Sequence, residues 1–200
     1  VKIRSLSLGL CATAAAAGTV CTAQAGTVLA DLLTLDLSVP NTVTITATAG
    51  LSGATVSGSD NVGVYLQGFF TSISGVFSTP DSGTSTFTSV GAPVDPNPSL
   101  YRDDSSDMGL NIYNWSPSPT VGFTAGTRAF TGTAVFNLSP AQYAAFLAGT
   151  TSGNLYFPAD SADDLSSAAL IGTWRVVPTP GAAVLLGLGG LTIAGRRRRV

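Results

Sequence analysis

Two aspartate clusters hold the residues best suited to chemistry in this chain: "YRDDSSDMG" carries Asp103, Asp104 and Asp107, and "ADSADDL" carries Asp160, Asp163 and Asp164. Closely spaced carboxylates offer two uses. Hard oxygen ligands with loop carbonyls suit calcium, and Asp103, Asp104 and Asp107 form the better candidate set, although neither cluster has EF-hand spacing. A pair of carboxyls whose pKa values are pushed apart would instead hydrolyse a glycoside or a peptide bond. The simplest use of both clusters is as solvated acidic loops.

What surrounds these clusters narrows the chemistry sharply. Residues 26–175 contain no His, Cys, Glu or Lys, the types that supply most general acids, general bases and nucleophiles. Ser-His-Asp and Cys-His arrangements are therefore impossible there, as is a His/Cys zinc site. The expectation is a non-catalytic body, with an Asp-based hydrolase as a remote alternative. Three arginines (Arg102, Arg128, Arg175) stand against eleven aspartates, which leaves this body at −8. So acidic a surface repels phosphate backbones, so nucleic acid is excluded as a partner.

Aromatic and hydroxyl side chains offer two further ligand chemistries. Tyr101, Tyr113 and Trp115 lie close in sequence around the first cluster. Their rings would stack on sugar faces, which makes extracellular polysaccharide a candidate ligand and a calcium-dependent carbohydrate-binding module the alternative function. The plainer account of "LNIYNW" is core or edge packing. Thr42, Thr44, Thr46 and Thr48 would line one strand face, and Thr84, Thr86 and Thr88 another. Ice binding would need several such rows stacked flat on a repeat scaffold. No repeat is present, and strands favour threonine for ordinary packing reasons.

The elements that position these residues read as strands. In "LTLDLSV", Leu33, Leu35, Leu37 and Val39 alternate with polar residues, and in "TVTITATA" Val43, Ile45 and Ala47 oppose the threonines. Further candidates are "NVGVYLQGFF", "SGVFS", "STFTSV", "GLNIYNW", "TVGFTA", "RAFTGTAVFNL", "GNLYF" and "ALIGTWRVV", punctuated by Gly, Pro, Asn, Asp and Ser. About ten short strands with frequent turns predict an all-β, antiparallel sandwich or jelly-roll-like body. "PVDPNPSL", with three prolines, reads as a rigid loop. One helix stands out in "LSPAQYAAFLAG": Ser139 as N-cap, Pro140 at the first position, Gln142 completing a capping box and Gly149 as the stop. Tyr143, Phe146 and Leu147 would share one face of it, and the helix would plug one end of the sandwich.

The termini carry a different kind of information. Lys2 and Arg4, the apolar "LSLGLCATAAAA" and the small residues Ala23 and Ala25 before Gly26 have the layout of a secretory signal peptide over residues 1–25. Both cysteines, Cys11 and Cys21, fall inside it, so the exported body would contain no disulfide. At the other end, fifteen uncharged residues from Gly181 to Gly195 precede Arg196, Arg197, Arg198 and Arg199. Counted from Val176 the uncharged stretch is twenty residues, the length of a marginal transmembrane helix, and the arginines would act as a cytoplasmic stop. Pro178 and Pro180 keep the segment before it extended.

Val177-Pro178-Thr179-Pro180, the uncharged run and the Arg196–Arg199 block together resemble the PEP-CTERM sorting signal, with Thr179 where that family usually has Glu. The resemblance covers residues 176–200 only. It implies a bacterial protein processed by signal peptidase, held transiently in the inner membrane by its C-terminal helix, and then handed by an exosortase-type transpeptidase to the cell surface or extracellular matrix. On this reading residues 26–175 form the single β domain that is delivered.

Overall fold

The computed structural model describes residues 29–72, 77–95, 97–102 and 107–177. The expected signal helix and membrane helix both lie outside them. The described residues form thirteen strands: β1 (Asp31–Asp36), β2 (Thr42–Ala47), β3 (Val56–Gly58), β4 (Val64–Leu66), β5 (Phe77–Pro80), β6 (Thr88–Ser89), β7 (Ser99–Arg102), β8 (Leu110–Tyr113), β9 (Val121–Phe123), β10 (Phe130–Thr131), β11 (Thr133–Asn137), β12 (Ser152–Phe157) and β13 (Ala169–Val177). One helix, α1 (Pro140–Leu147), joins β11 to β12, and a 3-10 turn spans Ala162–Ser166. The fold is mostly β with one α-helix, as the turn-rich alternating sequence predicts.

Nine strands make one sheet in the order β11-β2-β1-β13-β12-β4-β8-β7-β5. Its two edges nearly meet, because Asp81, one residue beyond β5, bridges to Phe136 of β11. Asp81 Oδ1 accepts the Val135 N–H at 2.7 Å, so a carboxylate helps pin the seam. Curling the sheet onto itself buries one face and leaves no long free edge. Alternation in a strand specifies that one face is buried; it does not distinguish two facing sheets from one curled sheet. The pairing is antiparallel throughout this sheet except between β1 and β13, which run parallel. Two-stranded ribbons, β10-β6 and β3-β9, complete the fold.

The interior contains two aromatic clusters. Phe87 stacks on Phe130 at 5.2 Å, and Trp115, Phe123 and Phe157 pack edge-on or tilted around them. Phe69 meets Phe70, Phe146 and Trp174 at 4.8, 4.9 and 5.1 Å. Each of these side chains is at least 96% buried. Burial of one such ring stabilises the fold by about 1.5–3 kcal/mol, with ~1 kcal/mol more from edge-to-face geometry. No disulfide is needed to hold a core of this kind.

Local expectations hold or fail for visible reasons. Val43 and Ile45 are fully buried while Thr42, Thr44 and Thr46 face outward, as the alternation requires. Leu33, Leu35 and Leu37 are buried, but Val39 is 57% exposed, because β1 ends at Asp36 and the chain turns through Asn41 at φ 58°. "RAFTGTAVFNL" is two strands rather than one. Gly132, at φ +80°, breaks it, and a Cβ there would overlap the Thr86 carbonyl. α1 begins with the expected capping box: the Gln142 N–H reaches Ser139 Oγ at 3.3 Å, and the Ser139 N–H reaches Gln142 Oε1 at 2.7 Å. Phe146 seals the aromatic cluster and the Tyr143 hydroxyl donates to the Leu37 carbonyl at 2.7 Å, whereas Leu147 stays 55% exposed.

Candidate functional site

The strands β5, β7 and β8 lie side by side, and their register places Ser78, Tyr101, Asn111 and Tyr113 on one face. Tyr101 stands directly opposite Ser78 on one side and Asn111 on the other, while Leu100 and Ile112 alternate inward and are fully buried. Tyr113, two residues beyond Asn111, meets Tyr101 edge-on at 6.2 Å and 83°. The Tyr113 hydroxyl shares a hydrogen bond of 3.2 Å with Ser78 Oγ. Together with Asn61 and Asp160 these residues line a groove of about 280 Å³: Asn61, Tyr101, Asn111, Tyr113 and Asp160.

Asn111 forms its floor and is only 1% exposed. Its Nδ2 faces the carbonyls of Ala159 at 2.8 Å, Val62 at 2.9 Å and Val64 at 3.3 Å. Three carbonyls around one nitrogen fix which way the amide points. Its Oδ1 accepts no hydrogen bond from the described residues. Asn61 is exposed at the groove rim, and Asp160 Oδ1 accepts from Ser161 Oγ at 3.1 Å.

The predicted sugar platform is thus divided. Tyr101 and Tyr113 share the groove, but Trp115 is fully buried in the aromatic core. The chain crosses over between them: Asn114 adopts φ 56°, which ends the β8 alternation and turns Trp115 inward. The backbone after it is held by Asp60, which accepts the Trp115 N–H at 3.3 Å and the Ser116 N–H at 3.1 Å. Burial pushes the Asp60 carboxyl up to about 6; the two N–H bonds oppose that rise and Asp95 adds to it.

Of the predicted calcium set, Asp103 and Asp104 lie outside the described residues and Asp107 is 7% exposed. Asp107 Oδ1 accepts from the Tyr65 hydroxyl and, at 2.8 Å, from the Gly109 N–H. Burial, and then the bond to Asp107, hold the Tyr65 phenol well above its usual range. The Asp107 carbonyl receives Arg102 through Nε at 3.1 Å and Nη2 at 2.8 Å, and the guanidinium lies 4.5 Å over the Phe70 ring. Asp107 is therefore tied to β4 through Tyr65, to Gly109 through its backbone N–H and to β7 through Arg102. Among the described residues no group of three or more acidic, His or Cys side chains gathers as a metal site. In the second cluster, Ser161 Oγ bonds Asp163 as well as Asp160, and Asp164 Oδ2 accepts the Asp160 N–H at 3.2 Å. These carboxylates shape the 3-10 turn and leave Asp160 at the groove.

The threonine rows are unequal. Thr46 on β2 has Thr34 and Thr133 as lateral partners, with Thr133 Oγ1 3.4 Å from Thr46 Oγ1. Thr48 lies beyond the strand and bonds the Asp31 carbonyl. The second row does not form as a strand face: Thr88 alone of the three belongs to a strand, and it is 6% exposed. Of the sorting residues, Val177 ends β13, paired with Asp36. Pro178, Thr179, Pro180 and Arg196–Arg199 lie outside the described residues, as do Ala23, Ala25 and Gly26. Among the described residues no helix is long and apolar enough to cross a membrane. No protein-family model, curated protein or solved structure matches the chain.

Sequence reasoning did not bring Asn61, Asn111 and Asp160 together with the tyrosines, and it did not single out Asp60. β7 itself was hidden, because the three prolines before Ser99 read as a loop that runs through Leu100. An alternating "SLYR" after the last proline was the available signal.

Proposed function

We propose that this chain is an exported bacterial surface or extracellular-matrix protein that carries a non-catalytic β domain. The observation that carries this reading is the order of segments after the domain: Val177-Pro178-Thr179-Pro180, an uncharged run, and Arg196–Arg199. Signal peptidase would release residues 1–25 and an exosortase-type transpeptidase would act near Pro178. The tail would hold the protein in the inner membrane until then. The absence of His, Cys, Glu and Lys from residues 26–175 supports a binding or structural role over catalysis. The domain is read as a jelly-roll-like unit delivered between a signal helix and a membrane helix.

The test is the intact mass of the protein recovered from the surface and medium of its native host. A mass running from Gly26 to near Pro178 or Thr179, with or without added sugar, is the expected result. A mass that still includes Arg199 overturns the sorting reading and makes the tail a permanent anchor.

A second reading, carbohydrate binding, is favoured by the groove in which Tyr101 and Tyr113 meet Asn111 and Asp160. Calcium dependence would rest on Asp103, Asp104 and Asp107, and isothermal titration with calcium in the presence and absence of polysaccharide measures it directly.

A further inference from the structure

We propose that the groove between Tyr101 and Tyr113 binds one ring of a neutral polysaccharide by direct contact, without a bridging metal. The proposal rests on the carbohydrate reading above and assigns it a place and a ligand charge. A pyranose has an apolar face of C–H groups and a rim of hydroxyls that both donate and accept. Such a ligand needs aromatic surface beside polar groups of fixed orientation. The groove supplies both. Tyr101 and Tyr113 form a perpendicular pair, so a ring seated against one is flanked by the other. The Ser78 contact at 3.2 Å restrains Tyr113 before any ligand arrives.

The polar side is more telling. Asn111 is 1% exposed, and its amide is locked by the carbonyls of Val62, Val64 and Ala159. With Nδ2 committed to those carbonyls, Oδ1 is held in a fixed orientation as an acceptor on a groove-lining side chain. A sugar hydroxyl can donate to it. Asp160 accepts a second hydroxyl, and Asn61 at the rim can donate and accept.

Size and charge narrow the ligand further. At about 280 Å³ the groove sits at the small end of the ~300–1,000 Å³ range of ligand pockets, which suits a single ring of a chain that continues outside. Asp160 lines it, and the domain carries −8, so uronates and phosphorylated glycans are repelled and neutral sugars are not.

Affinity electrophoresis of the full chain in mild detergent tests this, through gels cast with soluble β-glucan, xylan or galactomannan, with alginate as the acidic control. Retardation is expected in at least one neutral gel, unchanged by a chelator, and absent in alginate. Tyr101→Ala and Tyr113→Ala should each weaken it about tenfold, while Thr46→Ala on the distant face of β2 leaves it unchanged. Asn61→Ala, at an exposed position, should weaken it too and decides the matter where a tyrosine variant fails to fold. Retardation that survives both tyrosine changes and Asn61→Ala overturns this groove but leaves the carbohydrate reading standing. Loss of retardation with chelator overturns the metal-free mode, and stronger retardation in alginate overturns the neutral ligand. No retardation in any gel overturns the carbohydrate reading itself.

Discussion

Replacing Asp60 by asparagine removes a negative charge that is 1% exposed and, among the described residues, held by the Trp115 and Ser116 N–H groups. Burial raises this carboxyl from 3.8 to about 6, against the pull of those two bonds and with the help of Asp95. The folded state therefore holds its proton where the unfolded state has released it. At ~1.4 kcal/mol per pH unit, a rise of that size corresponds to about 3 kcal/mol. The sign follows from the raised value. Asp60 contributes this stability below pH 4, loses it as pH climbs through about 6, and contributes nothing further above. An asparagine keeps the shape and one acceptor but does not titrate. Urea unfolding of wild type and Asp60→Asn between pH 4 and 7 should give nearly equal stabilities at the acid end. The variant should then become more stable by up to about 3 kcal/mol at pH 7. Other carboxylates titrate in both proteins and cancel in the difference. Parallel curves would refute the assignment, because they would mean that Asp60 is as well solvated in the native state as in the unfolded chain.

Two further changes test the packing around the groove and the single helix. Gly109→Ala places a methyl group in the Tyr65 ring and should cost about 1–3 kcal/mol or more, read as a lower denaturation midpoint with disturbed near-ultraviolet tyrosine signals. Ser139→Ala removes the side-chain half of the α1 capping box and should cost ~1 kcal/mol in the same unfolding assay, with Pro140 still fixing the first turn.

The residues that were legible in the sequence share one property: their signals are local. The alternation of Val43 and Ile45 with Thr42, Thr44 and Thr46 needs only a period of two, and the α1 capping box needs four consecutive residues. Local signals fade where the backbone departs from regularity. Val39 lies past the end of β1, Gly132 splits an apparent strand at positive φ, and Asn114 turns Trp115 into the core where continued alternation would have left it beside Tyr113. Leu147 has the spacing of a buried helical residue but projects beyond the core that Phe146 closes.

By itself the sequence determined that the domain is mostly β, that it contains one capped helix, and which chemistries its composition excludes, because those follow from period, spacing and residue type. Tertiary structure alone decided that β1 pairs in parallel with β13, that Asp81 bridges the two edges of the sheet, and that Asp60 and Asp107 are structural anchors. It also decided that Tyr101, Asn111 and Tyr113 share a groove with Asn61 and Asp160. Tyr101, Asn111 and Tyr113 lie within one stretch of chain, but Asn61 and Asp160 come from segments far from it and join them only through the register of strands wound into one nearly closed sheet. That register is set by the whole core at once, so no short window of the sequence could carry it.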